Sequence, residues 1–253
     1  MRYEDEVAMT LNRADIPGEK VWLTSASGTF LGLFIDETPD YSTRAVIILP
    51  SMGSHVDWPE IISPLRTGLP EYGWTTLSIQ LPLLPPRVSP AEYGTTFIEA
   101  NARIQSAVQY LLSRQYQDIV IIGYSFGATT ALNYLAEPAT EIKGVVGISL
   151  QQHPFLKSSV DLFSMLGKVP VPVFDIYGSL DYSEVIRSAP DRRLAVSKNG
   201  ITDYLQLMVD GADHYFTGKN NLLTNRIVEW LDNLVPHVED DPMIDIYSNG
   251  SID

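Results

Sequence analysis

Ile119-Val-Ile-Ile-Gly123-Tyr124-Ser125-Phe126-Gly127-Ala-Thr-Thr-Ala-Leu132 is the stretch on which the fold turns. Four β-branched residues run into a G-x-S-x-G set, and a helix-forming segment leaves it. The serine therefore falls on a sharp strand-to-helix turn that pushes its hydroxyl out of the sheet. Glycines two residues to either side are required because larger side chains collide in so tight a bend. An ordinary βα turn with a solvated serine is the plain alternative. The spacing of acid and base further along the chain argues against it.

An exposed serine is a poor nucleophile until a base takes its proton, and the base needs an acid to hold its tautomer. Val171-Pro-Val-Phe-Asp-Ile-Tyr177 reads as a buried strand followed by Gly178-Ser-Leu-Asp181, and Tyr204 to Val209 as a strand ending in Asp210-Gly-Ala-Asp-His214-Tyr215-Phe216. Ser125, Asp181 and His214 each fall just past the C-terminal end of an expected strand. Loops at that edge of a parallel sheet converge on one site. Asp175, inside a strand, and Asp213, next to His214, are poorly placed to reach the far ring nitrogen.

In the order nucleophile, acid, histidine, and in the strand preceding each, residues 20 to 235 resemble the α/β-hydrolase superfamily. Pro50 to Leu84, GADHYFTG and RIVEWL also resemble a bacterial hydrolase-like family without assigned function. The superfamily resemblance implies a serine hydrolase with a nucleophile elbow, a catalytic triad and an oxyanion hole. One oxyanion donor is then the N–H of Phe126. The second comes from Leu49-Pro-Ser-Met-Gly53, where Pro50-Ser51 replaces the usual His-Gly; Met52 fits one alignment and Ser51 the other. A serine nucleophile argues against haloalkane or epoxide chemistry.

The remaining pattern predicts a mainly parallel central sheet with helices on both faces and an antiparallel N-terminal hairpin. Val21–Ser25 and Thr29–Ile35 alternate around Ser27-Gly28, Ala45–Leu49 is a buried run, and Thr75–Ile79 and Gly144–Leu150 are further strands. Helices are expected over 57–69, 93–114, 182–197 and 220–234. Residues 1–19 read as an N-terminal tail, 20–235 as the domain and 236–253 as an acidic C-terminal tail. Leu81 to Pro90 carries four prolines and cannot be a helix or a central strand. Residues 151–169 sit where the superfamily commonly inserts a lid and are too short for a cap domain; plain connections are the alternative for both segments.

Composition narrows the partners. Against 31 acidic residues stand 17 Lys and Arg, a net charge of −14, so phosphate backbones find no basic face. No apolar run reaches membrane-span length. Met1-Arg-Tyr-Glu-Asp-Glu6 is no signal peptide, but a mature secreted chain would look the same, so the compartment stays open, as does oligomeric state. No cysteine is present, which excludes disulfides and thiol catalysis. No metal-ligand spacing or nucleotide-binding glycine motif occurs, so no metal and no cofactor is expected. His55 could line the pocket or sit exposed on its loop, His153 belongs to the lid segment, and His237 lies in the acidic tail. Trp58, Tyr124, Tyr177, Tyr182 and Tyr215 lie beside the site loops and could form an aromatic pocket, or serve in packing.

The expected activity is hydrolysis of a carboxylic ester, small or at a chain end, through an acyl-enzyme. Thioester or amide cleavage and acyl transfer use the same parts. A non-catalytic binding or scaffold protein is the alternative from another class, favoured by the altered Pro50-Ser51 loop.

Overall fold

Arg44-Ala-Val-Ile-Ile-Leu49 and Asp118-Ile-Val-Ile-Ile-Gly-Tyr124 are apolar on both faces, and strands of that kind must be covered on both sides. In the computed structural model, which describes residues 2–36, 43–136, 141–156 and 160–236, they lie side by side at the centre of an eight-stranded sheet. In chain order the strands are β1 (Glu19–Ser25), β2 (Gly28–Ile35), β3 (Arg44–Leu49), β4 (Thr75–Ile79), β5 (Asp118–Tyr124), β6 (Ile142–Ile148), β7 (Val173–Leu180) and β8 (Tyr204–Asp213). Across the sheet the order is β1-β2-β4-β3-β5-β6-β7-β8. β1–β2 and β2–β4 pair antiparallel, and all other pairs are parallel. This is the mainly parallel sheet with an antiparallel N-terminal hairpin that the patterning predicts.

Alternate residues of the central strands feed opposite faces. Ile47, Leu49, Ile119 and Ile121 pack beneath α3 (Phe97–Ser113), α4 (Phe126–Leu135) and α5 (Leu162–Leu166). Val46, Ile48, Val120 and Ile122 pack beneath α2 (Ile62–Gly68) and α7 (Asn220–Leu234). Strand order reverses at β3: β4 lies on one side and β5 on the other. The loops after β3 and β5 therefore part around a crevice at the C-terminal edge, the place where open α/β sheets bind ligands.

Three elements differ from the sequence reading. Residues 57–69 are helical only from Ile62, because Trp58 precedes Pro59 and the residue before proline is driven away from the helical region; a 3-10 turn, Leu69–Tyr72, follows. The helix expected over 93–114 begins as a 3-10 segment, Pro90–Thr96, and becomes α-helical at Phe97, after Gly94, Thr95 and Thr96. The chain start is helical rather than a tail: α1 spans Tyr3–Arg13. Its Glu4 is buried, pairs with Arg103 at 2.8 Å and accepts the Leu83 N–H at 3.0 Å, while Ala8 packs with Leu31, Leu33 and Val56. A stripe led by a glutamate hides from an apolar-periodicity reading. His237 and the acidic stretch 239–241 lie outside the described residues. In the segment 151–169, Leu156, Val160, Leu162, Met165 and Leu166 are built into the core on the α4 face, where α5 packs on α4 and on α6 (Ser183–Lys198).

Candidate active site

Ser125 has φ +52° and ψ −111°, a left-handed conformation that a residue with a side chain holds only when its surroundings enforce it. The enforcement is visible at both glycines. A Cβ on Gly123 would lie 2.5 Å from Ala128 Cα and 2.6 Å from Ala128 N; one on Gly127 would meet the carbonyl oxygens of Leu49 and Pro50, the latter at 2.5 Å. The first contact sets how closely α4 folds back on β5, and the second how closely the loop after β3 approaches the turn. Ser125 N–H is fixed by the Ile148 carbonyl at 2.8 Å.

Phe126 is the first residue of α4, so its N–H has no intrahelical acceptor and stands at the positive end of the helix dipole. Opposite it, the Ser51 carbonyl accepts both the N–H (3.2 Å) and the hydroxyl (2.8 Å) of Ser54, closing a turn with Gly53 at φ +74°. Ser51 and Met52 both line the cleft that Ser125 enters.

Asp181 immediately follows β7, and His214 immediately follows β8. His214 Nδ1 lies 2.6 Å from Asp181 Oδ1, and both residues are buried. Asp181 Oδ1 also accepts the Tyr182 N–H at 2.7 Å, and Oδ2 accepts the Ser149 hydroxyl at 2.6 Å. A carboxylate held by these contacts keeps its orientation. No hydrogen bond joins Ser125 to His214 among the described residues.

Three tyrosines surround the His214 ring. Tyr182 stacks on it with centroids 4.0 Å apart and 19° between planes, Tyr215 meets it edge-on at 5.4 Å, and Tyr124 lies at 5.3 Å with its hydroxyl on the His214 carbonyl at 3.3 Å. The Tyr182 and Tyr215 hydroxyls share a hydrogen bond of 2.8 Å, which, with burial, pushes the Tyr182 phenol up to about 12. Burial above all, with Tyr215, Tyr182, Asp181 and Glu60 nearby, raises the Tyr124 phenol as well. Neither phenol ionises at neutral pH.

The cleft holds about 360 Å³, and its wall includes Ser125, His214, Trp58, Tyr124, Tyr182 and Tyr215. Tyr177 is elsewhere, in a groove at the β8 edge, with the Arg192 guanidinium over its ring. His55 is half-buried rather than exposed, stacks edge-on with Trp58 at 5.3 Å and accepts the Asp57 N–H at Nδ1. Asp175 is held in a buried pair with Arg192 at 2.7 Å and accepts from Gln206 and Tyr204. Asp213 accepts the Tyr215 and Thr217 N–H groups. Neither aspartate reaches the His214 ring.

Sequence reasoning missed Ser149, Gln151, Phe155 and Glu184. Ser149 has φ +56° and follows β6 as Ser125 follows β5; a polar residue ending an apolar strand at this edge was the available signal. Among the described residues no group of three or more His, Cys, Asp and Glu could hold a metal ion, and no helix is long and apolar enough to cross a membrane.

The fold is that of the α/β-hydrolase superfamily. Est1E from Butyrivibrio proteoclasticus, solved with ferulic acid bound, superposes with a TM-score of 0.69 at 14% identity, covering 86% of this chain and 100% of that one. Dienelactone hydrolase from Anabaena variabilis gives 0.68 at 21% identity over 85% and 96%, and the Pyrococcus furiosus esterase Pf2001 gives 0.66 at 18% over 86% and 93%. No curated protein matches the chain by sequence. A family described as "Protein of unknown function (DUF3530)" matches residues 3–100 and 85–233.

Proposed function

The chain belongs to this DUF3530 family of proteins of unknown function, and from that starting point we propose that it is a serine hydrolase that cleaves carboxylic esters. The observation that carries the reading is the 2.6 Å contact between the buried His214 and Asp181, on the same cleft as a serine held at φ +52°. A buried aspartate on Nδ1 leaves Nε2 as the nitrogen that can accept a proton.

Ser125 Oγ attacks the ester carbonyl and gives its proton to His214 Nε2. The oxyanion forms between the Phe126 N–H and that of Met52, with Ser51 as the alternative donor on the same turn. Backbone donors of this kind stabilise a developing charge without reorganising. Collapse of the tetrahedral species breaks the bond to the alcohol, which leaves with the proton from His214. Water then repeats the sequence on the acyl-enzyme, and Asp181 holds the imidazolium each time it forms. Est1E, seen with ferulic acid, and the esterase and dienelactone hydrolase of the same fold favour an ester over an amide or thioester.

The test is labelling by a fluorophosphonate probe. Wild-type protein should take up one equivalent at Ser125, and Ser125→Ala should take up none and lose ester turnover by several orders of magnitude at unchanged fold. An unlabelled wild-type protein with intact fold would point instead to a non-catalytic binding protein.

A further inference from the structure

Nothing in the proposed reaction uses His153, yet it stands on the wall of the same cleft as Ser125 and His214. Only 5% of its surface is exposed. Its ring lies 5.7 Å from that of Phe126 and 5.2 Å from that of Phe155. Nε2 is buried and has no hydrogen-bond partner among the described residues. Leaving such an atom unpaired is unfavourable, and a phenylalanine would fill the same place between two aromatic rings without that cost. The wall of the cleft thus holds an imidazole whose Nε2 the protein itself leaves unpaired.

The chemistry of that group limits its ligand. Burial, reinforced by the nearby His214, drives its pKa down to about 4, so the ring is neutral at ordinary pH and offers one donor and one acceptor nitrogen. A neutral imidazole suits a hydroxyl and gives a carboxylate no counter-charge. The rest of the lining has the same character. Trp58, Tyr124, Phe155, Tyr182 and Tyr215 supply aromatic walls, Glu184 adds a negative charge, and no Lys or Arg is among the described lining residues. Flat aromatic walls favour a planar group, by stacking or edge contacts.

We infer that His153 is a specificity-determining residue that hydrogen-bonds an uncharged hydroxyl carried on a planar aromatic acyl group. This rests on the cleft being the substrate site proposed above. The alcohol side of the ester then leaves toward solvent, and acyl groups that carry an anion on the ring are discriminated against.

The experiment measures binding to the full chain by calorimetry, with neutral methyl ketones that have no leaving group. Phenyl and 4-hydroxyphenyl ketones are compared as matched pairs, with zero, one or two methylenes between ring and carbonyl. At least one hydroxylated ketone should bind wild-type protein about tenfold more tightly than its unsubstituted partner, the size of one well-made hydrogen bond. His153→Phe and His153→Leu should bring that ratio close to one, and His153→Gln, which keeps a donor and an acceptor, should recover part of it. Thermal melts identify which variants are folded, and either apolar variant suffices. The 4-carboxyphenyl counterpart should bind more weakly than the phenyl ketone.

A ratio near one at all three lengths in wild-type protein, or a ratio that survives in the folded apolar variants, overturns the inference; so does tighter binding of the carboxylate. Labelled Ser125 with a ratio indifferent to His153 removes the inference and leaves the hydrolase. Unlabelled Ser125 with a His153-dependent ratio removes the hydrolase and leaves the ligand class.

Discussion

Asp175 and Asp181 lie on the same short stretch of chain, both buried, and their substitution should separate stability from turnover. Asp181 faces His214 Nδ1 at 2.6 Å, whereas Asp175 faces Arg192 Nε at 2.7 Å with both side chains fully buried. Asp181→Asn keeps the shape but presents an amide that favours the wrong imidazole tautomer, and turnover should fall about 10⁴-fold. Asp175→Asn leaves a buried guanidinium without its counter-charge. Breaking such a pair costs about 3–5 kcal/mol, and the lower end applies because the amide oxygen still accepts from Arg192. For a chain of this size about 3 kcal/mol lowers Tm by roughly 6–12 °C. Ester turnover well below each variant's Tm, together with melting curves, reads both quantities. The expected pattern is crossed: Asp181→Asn slow, with a smaller loss of Tm than Asp175→Asn; Asp175→Asn easily melted but turning over at near wild-type rate. An Asp175→Asn protein that is folded and as slow as Asp181→Asn would refute the assignment of the acid.

Gly127→Ala places a methyl group 2.5 Å from the Pro50 carbonyl oxygen; overpacking of this kind costs about 1–3 kcal/mol, and kcat should drop with it as the loop after β3 is pushed away, both read from melts and steady-state rates. Ser149→Ala removes the 2.6 Å hydrogen bond to Asp181; turnover should fall about tenfold, the weight of one hydrogen bond to a charged group, and Ser149→Gly, which relaxes the φ of +56°, should fall similarly if the bond is what matters. His153 supplies a pH test. Its folded pKa of about 4 lies below its ordinary value, so below about pH 6.5 the unfolded chain takes up a proton that the folded one refuses. The stability present above pH 6.5 is therefore lost progressively down to pH 4, on the order of 3 kcal/mol in total. Denaturant titrations of His153→Leu across that window should show a shallower acid decline than wild type, and parallel curves would disprove the burial argument.

The strands, and the positions of Ser125, Asp181 and His214 just past three of them, were legible because each rests on a local pattern: a continuous apolar run, then a glycine-rich or acidic turn. The order of the strands across the sheet was not, because it is set by pairings between distant segments. The α1 helix was not, because its inward stripe starts with Glu4, whose burial makes sense only once Arg103, far along the chain, is beside it. Ser149 escaped for a related reason. Nothing local to Ile148-Ser149-Leu150 distinguishes a carboxylate's partner from a solvated serine, and the distinction lies in a contact to Asp181. Among the aromatic residues the sequence could assemble candidates but not sort them. Tyr182 and Tyr177 flank the same loop, yet one stacks on His214 and the other stands under Arg192.

The reversal of strand order at β3 also bears on when the molecule becomes competent. Leu49 and Gly123 are register partners, as are Leu180 and Asp213, and the chain between the first pair contains β4 and α3. Such pairings must close long loops before they return any energy, which slows the folding of chains built on them. Helices such as α3 can form from neighbours alone, but the turn at Ser125 is held by the Ile148 carbonyl of β6 and fits closely against the end of β3 and the loop after it. During refolding, helical signal should therefore recover ahead of a reactive serine. A covalent serine probe added at successive times would act as a stopwatch on the last step, the docking of distant strands.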